Sequence, residues 1–559
     1  MALDKQNIVK KILEQFEQIS DTKNIKDIAY SFYVDKKEFL LFPPRLDFPE
    51  SKVSLFINVK HVGFIPHIFF YDYTKKEFDF LPDEAYAPLC LYEAYDYISS
   101  LFSYEDKIYD AIRRLLKLLF MSPVDKEREF QKEFSVYWHN MATEKMTVDV
   151  FLHQAKSFSK LKIYRHGKNM RLVEDGITLN DLLSQDVRIW EEDVGDDAYL
   201  IPISDKRNII PPYRKNPWSI KNIQHILADV AIDHISPDIY KKLKRITSSK
   251  RNIWFVFSMH VQEIDILFTV KIRCGNQKHE NLLNEIMHAA EQIKTFRTRR
   301  MDYLFLNRIV GNEQKLYGKK ILLVGCGSLG SYVASELVKN GCISLTVYDS
   351  DYLSIENTMR WAGNPALVGG YKVDYIKKLL ENFHPEINVT AFHKKLDKKI
   401  LCDMIKEFSL IIFTIGSSDS QLAFNRALKM NHCNIPVIYT WLEAGGRYSH
   451  ILAVDYQSKG CYQCLFTDEN GKMINNRAIH MSETLNDSYV DSIIRNGCGG
   501  TRAAYGTTIL LRTTAVLLDT LQQIYSNYGI QHKLTTITPL AVEYPDNLIP
   551  MKGCQCCGL

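Results

Sequence analysis

Between residues 324 and 372 the chain places Val324-Gly325-Cys326-Gly327-Ser328-Leu329-Gly330, then Asp349-Ser350-Asp351, then Asn357-Thr358-Met359-Arg360, then Lys372. Glycines let backbone N–H groups approach phosphate. A carboxylate following the next strand holds ribose hydroxyls. Cations aimed at phosphoryl oxygens stabilise the charge that builds when a nucleophile attacks an α-phosphate and pyrophosphate departs. The residue types and their order therefore point to a triphosphate site open to attack by a carboxylate. The glycines and Asp349, which lies 19 residues after Gly330, fit an NAD site equally well. A site for two bridging phosphates does not need Asn357, Arg360 and Lys372, which all follow within 23 residues of Asp349.

The flanking elements must put these groups in place. Lys319 to Val324 is an apolar run that reads as a buried strand. Ser328 to Asn340 carries Leu329, Val333, Ala334 and Leu337 at helical spacing, and Gly341 stops it. Gly325 then permits the tight turn, Gly327 the close approach of phosphate, and Gly330 the packing of helix on strand, with the helix N-terminus facing the anion. Leu345 to Tyr348 is the next strand, ending at Asp349. A third apolar run, Leu410 to Ile415, leads into Gly416-Ser417-Ser418-Asp419. That puts Asp419 at the carboxyl end of a strand, where a magnesium ion accompanying the phosphates would be held.

On these residues, 295–559 resembles the ThiF/MoeB/HesA adenylation domain of ubiquitin-activating enzymes, a Rossmann-like fold using ATP and Mg2+. The resemblance implies that Asp349 and Asp351 face the nucleoside, that Asn357, Arg360 and Lys372 face the phosphates, and that Asp419 holds magnesium. It also implies a homodimer in which an arginine before the first strand enters the partner's site. Arg308 is the best match for that role, with Arg300 as its rival.

Twelve cysteines, a polar start (Met1-Ala2-Leu3-Asp4-Lys5-Gln6) and no long apolar stretch lead to the expectation of a cytoplasmic protein with reduced thiols and no membrane segment. Cys461-Tyr462-Gln463-Cys464 and Cys554-Gln555-Cys556-Cys557 supply two Cys-x-x-Cys knuckles, the four thiolates of a closed Zn2+ site. Cys461, Cys464, Cys554 and Cys557 are the expected ligands, with Cys556 an alternative fourth. Cys498, among glycines in Gly497-Cys498-Gly499-Gly500, has the setting of an accessible thiol, and a helix is expected from Thr501 onward. Cys326, Cys342, Cys402 and Cys433 lie in or beside apolar elements and read as small hydrophobes, and Cys274 as structural. In ubiquitin activators a loop cysteine takes the acyl group from the adenylate, and by that resemblance Cys498 does so here.

Roughly 290 residues precede this region, space for further domains. Strands are expected at Val53–Val59, Val62–Phe70 and Phe78–Leu81, and helices at Asn7–Ile19 and Lys107–Phe120, with Cys90 in the loop between. This order resembles a ubiquitin-conjugating domain, with Cys90 as the thiol that receives the acyl group. The His-Pro-Asn usual in that family is missing; Pro66-His67 is the nearest feature. Residues 125–290 carry no chemical motif; resemblance to bacterial ubiquitin-activating/ubiquitin-conjugating fusions, which have an inactive adenylation domain in this region, implies that 131–294 is linker and a possible domain of that kind. Strands are expected at Trp254–Met259 and Ile264–Ile272, and a helix at Glu280–Phe296. The expected domains are thus 1–130, 131–294 and 295–559, all α/β or α+β. Composition is ordinary, at 46% hydrophobic and 24% charged, and a net charge of +4 makes no case for nucleic acid.

The whole order resembles bacterial ubiquitin-activating/ubiquitin-conjugating fusions of the CBASS antiphage type. It implies ATP-dependent activation of a protein C-terminal carboxylate and a thioester on Cys498. Transfer to Cys90 and ligation to target lysines would follow, the activated protein being a cGAS-like nucleotidyltransferase or a ubiquitin-like protein. A sulfur-carrier adenylyltransferase, a non-catalytic scaffold and an NAD-linked dehydrogenase are the alternatives, in that order.

Overall fold

The computed structural model describes four strands within 30–72, then Asp110 and Arg114, then residues 122–559. From 122 onward the exceptions are 154–156, 178, 180–189, 204–208, 213–216, 233–251, 262–263, 275–289, 313, 364–367, 479–492, 496–500, 504, 527–532, 539–540, 544–549 and 558–559, with residue 121 also outside. The chain divides into two compact units: one of Met1–Met146, Lys156–Phe158 and Tyr199–Thr298, the other of Thr147–Ala155, Ser159–Ala198 and Arg299–Leu559.

In the first unit, Tyr30–Val34, Lys37–Phe42, Val53–Asn58 and Ile68–Asp72 form an antiparallel meander in chain order. The first two strands were not anticipated. The expected strand Val62–Phe70 is described only from Ile68, and runs on to Asp72. Asp110 and Arg114 are helical and joined by a 3.0 Å bond from Arg114 Nε to the Asp110 carboxylate. The expected elements at Asn7–Ile19 and Phe78–Leu81, and Cys90, lie outside the described residues. The expected strands at 254–259 and 264–272 are present as the hairpin Asn252–Val261 and Ile264–Cys274. The expected helix at Glu280–Phe296 fails over its last residues, where Ala290–Arg300 is a strand registered Thr269↔Phe296 and Ile272↔Ile293 on that hairpin, while 280–289 lies outside the described residues. Trp138 Nε1 donates to Phe296 O at 2.8 Å, and Trp254 packs on the Phe296 ring. Pairing and aromatic packing override local helical spacing here. Phe134, Trp138 and Phe268 form the centre of this unit's core.

The second unit holds the nucleotide motifs. From Tyr303 on, its α-helices and strands are α1 (Tyr303–Ile309), β1 (Lys320–Val324), α2 (Ser328–Lys339), β2 (Ser344–Tyr348), α3 (Lys372–Glu381), β3 (Asn388–Phe392), α4 (Lys398–Met404), β4 (Leu410–Phe413), α5 (Ser418–Met430), β5 (Val437–Leu442), β6 (Ser449–Val454), β7 (Ile493–Arg495), β8 (Thr501–Ala503), α6 (Thr507–Tyr525), β9 (Lys533–Ile537) and β10 (Val542–Glu543). One sheet runs β3-β2-β1-β4-β5-β6-β9-β10. The first five strands are parallel and the rest antiparallel. β1 is buried from Ile321 on and β4 throughout, as parallel strands covered on both faces must be. Strand order reverses between β1 and β4. The crevice at their carboxyl ends is the place where such sheets bind ligands.

Helix α2 spans the predicted residues, and Gly341, at φ +115°, follows its last turn. The helix expected from Thr501 begins only at Thr507. Thr501–Ala503 instead pairs with Ile493–Arg495 in a short hairpin. No helix among the described residues is long and apolar enough to cross a membrane.

At Gly330 helix and turn backbones are in contact. A Cβ there would lie 2.0 Å from Gly325 O and 2.7 Å from Thr414 Oγ1. Gly330→Ala should therefore cost about 3 kcal/mol, the upper end of overpacking effects. Urea denaturation of the full chain measures this, and an unchanged midpoint contradicts the close packing.

Candidate functional site

Each glycine of the turn has a distinct environment. Gly325 has φ +101°, and a Cβ there would meet Thr414 Oγ1 at 2.9 Å. That conformation suits glycine alone. Around Gly327, the residue before α2, a Cβ would meet nothing within 4 Å, so its missing side chain leaves open space at the helix N-terminus. Thr414, just past β4, donates to Gly325 O at 2.8 Å, and its N–H donates to Val324 O at 2.9 Å. These bonds tie the strand leading to Asp419 to the strand leading to the glycines.

Asp349 closes the turn from β2. Its carboxylate accepts from Cys326 N at 2.7 Å and from Asp351 N at 2.8 Å. Burial pushes this carboxyl above its ordinary range, although both backbone donors favour the anion. Cys326 is fully buried, and burial raises its thiol well above the ordinary range, so it is no nucleophile. Burial likewise lifts Cys342 to about 12 and Cys433 to about 11, in keeping with hydrophobic roles.

Lys372 is the first residue of α3 and is buried, yet its Nζ reaches the exposed Asp351 carboxylate at 3.0 Å. Its backbone N–H also donates to Asp351 O at 3.1 Å. The ammonium is thereby fixed beside the acid pair. Asn357 and Arg360 lie in the 3-10 turn Ile355–Arg360, where Asn357 Oδ1 accepts from Ser354 N and Oγ in a capping box. Trp361, next in the chain, donates from Nε1 to Cys326 O at 2.9 Å and anchors this turn to the glycine loop. Ser331 Oγ accepts from Ala362 N at 3.1 Å. The Arg360 guanidinium lies over the Tyr505 ring.

Asp419 is exposed in the first turn of α5, beyond the carboxyl end of β4. One such carboxylate fits magnesium, which takes one or two acids and fills its remaining positions with phosphate and water. Of the two candidate arginines before β1, Arg300 is buried in a 2.7 Å ion pair with Asp302. Arg308 is exposed at the end of α1, beside exposed Ile309 and Val310. Among the described residues no hydrogen bond or ion pair of its side chain ties Arg308 to the glycine turn. Cys498 lies outside the described residues, between β7 and β8.

The four knuckle cysteines converge. The Sγ atoms of Cys461, Cys464, Cys554 and Cys557 all lie within 4.8 Å of one another. Cys461 to Cys554 is 4.0 Å, and Cys464 to Cys557 is 3.6 Å. Tetrahedral zinc with bonds of about 2.3 Å needs edges of about 3.8 Å, so the set fits that ion. Cys556 falls outside the four; its Sγ accepts from Asn425 Nδ2 at 3.2 Å. Asn425, on α5, also accepts from Tyr456 Oη and Tyr462 N, both at 2.9 Å. The cluster thus braces the helix whose first turn carries Asp419.

Sequence reasoning missed Thr414, Trp361, Asn425 and Tyr505. Thr414 and Trp361 adjoin quoted motifs, and a Trp beside the arginine was a usable sign. Nothing local distinguishes Asn425 or Tyr505.

Residues 303–546 match the model of the ThiF family. The carboxyl-terminal region carries a ThiF-family domain. Molybdopterin-synthase adenylyltransferase of Haemophilus influenzae is 30% identical over 127 residues, 22% of this chain and 51% of that protein. The ATP-dependent ubiquitin transferase-like protein Cap2 of Escherichia coli (strain TW11681) is 26% identical over 207 residues, 35% of this chain and 33% of that protein. The chain therefore spans about half of the first relative's length and a third of the second's. Among solved structures, E. coli MccB with ATP aligns at a TM-score of 0.34 and 18% identity, covering 44% of this chain and 68% of that one.

Removal of zinc should free the 551–557 segment from the ThiF-family domain. The expected result is one zinc per chain by elemental analysis, with a lower melting temperature once a chelator has stripped it. Unchanged melting after verified loss argues against a structural ion.

Proposed function

We propose that the chain activates the C-terminal carboxylate of a protein as an acyl-adenylate and passes the acyl group on through two cysteines. The junction of glycine turn, Asp349 and the Lys372–Asp351 pair at the carboxyl ends of β1 and β2 carries this reading. ATP is the co-substrate. Asp349 is suited to the ribose and the N–H groups around Gly327 to phosphate, while Asn357, Arg360 and Lys372 take the phosphoryl charge. A carboxylate oxygen attacks the α-phosphorus, and pyrophosphate leaves with its electron pair. Magnesium held by Asp419 would neutralise phosphate charge.

The Cys498 thiolate then attacks the acyl carbon and AMP departs. The Cys90 thiolate displaces Cys498. A target lysine amine displaces Cys90, loses its proton and forms the isopeptide. Cys90 and Cys498 lie outside the described residues, and their roles rest on the resemblance and on the similarity to Cap2. In this reading 1–130 is the conjugating domain, 131–294 a linker and inactive adenylation domain, and 295–559 the active domain. Arg308 enters the site of a second copy in a homodimer, and the activated protein is a cGAS-like nucleotidyltransferase primed for antiphage defence. The similarity to a molybdopterin-synthase adenylyltransferase supports a second reading, sulfur-carrier activation, which has no need of Cys90.

Intact-mass analysis after incubation with ATP and cell lysate separates the two, since an ATP-dependent protein adduct on Cys90 favours the cascade and its absence favours the carrier reading. Lys372→Ala should slow substrate-dependent ATP–pyrophosphate exchange about 100-fold, the usual cost of one transition-state donor. Asp419→Ala should abolish the exchange; if it persists, the metal role is wrong. Cys498→Ala should leave exchange intact and prevent loading of Cys90. Normal loading would mean that Cys90 is charged directly.

A further inference from the structure

Arg360 is held from two sides. Its backbone is anchored by the next residue, Trp361, whose indole donates to Cys326 O in the glycine loop. Its guanidinium lies over Tyr505, with Cζ 4.7 Å from the ring centroid. Tyr505 comes just before α6 and packs against the core shared by α2 and α6. The turn between β5 and β6 shapes the ring's seat. Gly446 there has φ +64°, and a Cβ on it would fall 2.8 Å from Tyr505 Cβ and 3.3 Å from Tyr505 Cα. Glycine at 446 leaves the room that Tyr505 fills, and Tyr505 presents its ring to Arg360.

We propose that Tyr505 is a positioning residue that presets Arg360 for the phosphates of ATP. This rests on the assignment of Arg360 to the phosphates made above. A guanidinium held over a ring face by its charge is steadied at that spot, and its planar fork of donors matches phosphate oxygens. A long arginine side chain otherwise loses much rotational freedom when an anion fixes it. Fixing it beforehand removes that loss from binding. The attraction arises from the negative face of the ring, so it ranks Trp above Tyr and Phe, and an aliphatic side chain lacks it. A space-filling role for Tyr505 would show no such ranking.

The test is calorimetric titration of the full-length chain and its Tyr505→Trp, Tyr505→Phe, Tyr505→Leu and Gly446→Ala variants with ATP, and with adenosine, which offers no phosphate. Tyr505→Trp should bind ATP about threefold more tightly than Tyr505→Phe, with wild type no weaker than the Phe variant, and Tyr505→Leu should bind about five- to tenfold more weakly than wild type. Adenosine affinity should not change. Gly446→Ala should reproduce the Leu result by displacing the ring. Wild-type ATP affinity in Tyr505→Leu overturns the proposal, as does an equal loss of ATP and adenosine. If Tyr505→Leu does not fold, the Trp and Phe variants decide, and equal affinities overturn it. Graded ATP binding without substrate-dependent pyrophosphate exchange leaves the clamp standing and removes the adenylation reading. Exchange with no effect of the Leu variant does the reverse. Failure of the wild-type chain to bind ATP overturns both.

Discussion

The approach of α2 to the turn after β1 is the contact on which the site depends. Gly330 sits where any side chain would strike the Gly325 carbonyl. The helix N-terminus can therefore lie directly over the turn, with its unsatisfied N–H groups and dipole converging on one spot. Thr414 crosses from β4 to bond the same Gly325 carbonyl, and Asp349 crosses from β2 to accept from Cys326 N. Three adjacent strands are thus tied to one short bend. Moving the helix outward to admit a side chain would disturb both connections.

Around that bend the charges are arranged by burial and by pairing. Asp349 is largely removed from water, which opposes its ionisation, and two backbone donors offset part of that cost. Lys372 is buried along its stem and meets an exposed acid at its tip. An ion pair with one exposed member contributes little to stability. Its value here is directional, because it holds the ammonium at the mouth of the crevice. The knuckle cysteines act at longer range. Through Asn425, Tyr456 and Tyr462 they brace α5, so an ion bound there would stiffen the helix that bears Asp419.

Parts of the architecture ran against local sequence pattern. Residues 290–296 belong to a stretch spaced to suggest a helix, yet they lie in the strand Ala290–Arg300, because the hairpin of Asn252–Val261 and Ile264–Cys274 offers an open edge and an aromatic surface. Thr501–Ala503 pairs with Ile493–Arg495 and delays α6 to Thr507. Both outcomes depend on partners distant in the chain. By contrast, β1, α2, β2 and β4 fall where apolar runs, spacing and glycines placed them, since those signals act within a few residues.

The sequence alone determined the glycine turn, the strand-end acids and the paired knuckles. Each of these is written in short spacings whose meaning comes from backbone geometry and ligand chemistry. Only the folded chain decided that Cys556 stands outside the four clustered thiols and that Arg300 is consumed by Asp302 while Arg308 stays exposed. The fold likewise decided that Arg360 meets Tyr505. These pairings join residues through packing rather than through spacing, and no local pattern encodes which of several chemically equal side chains will arrive.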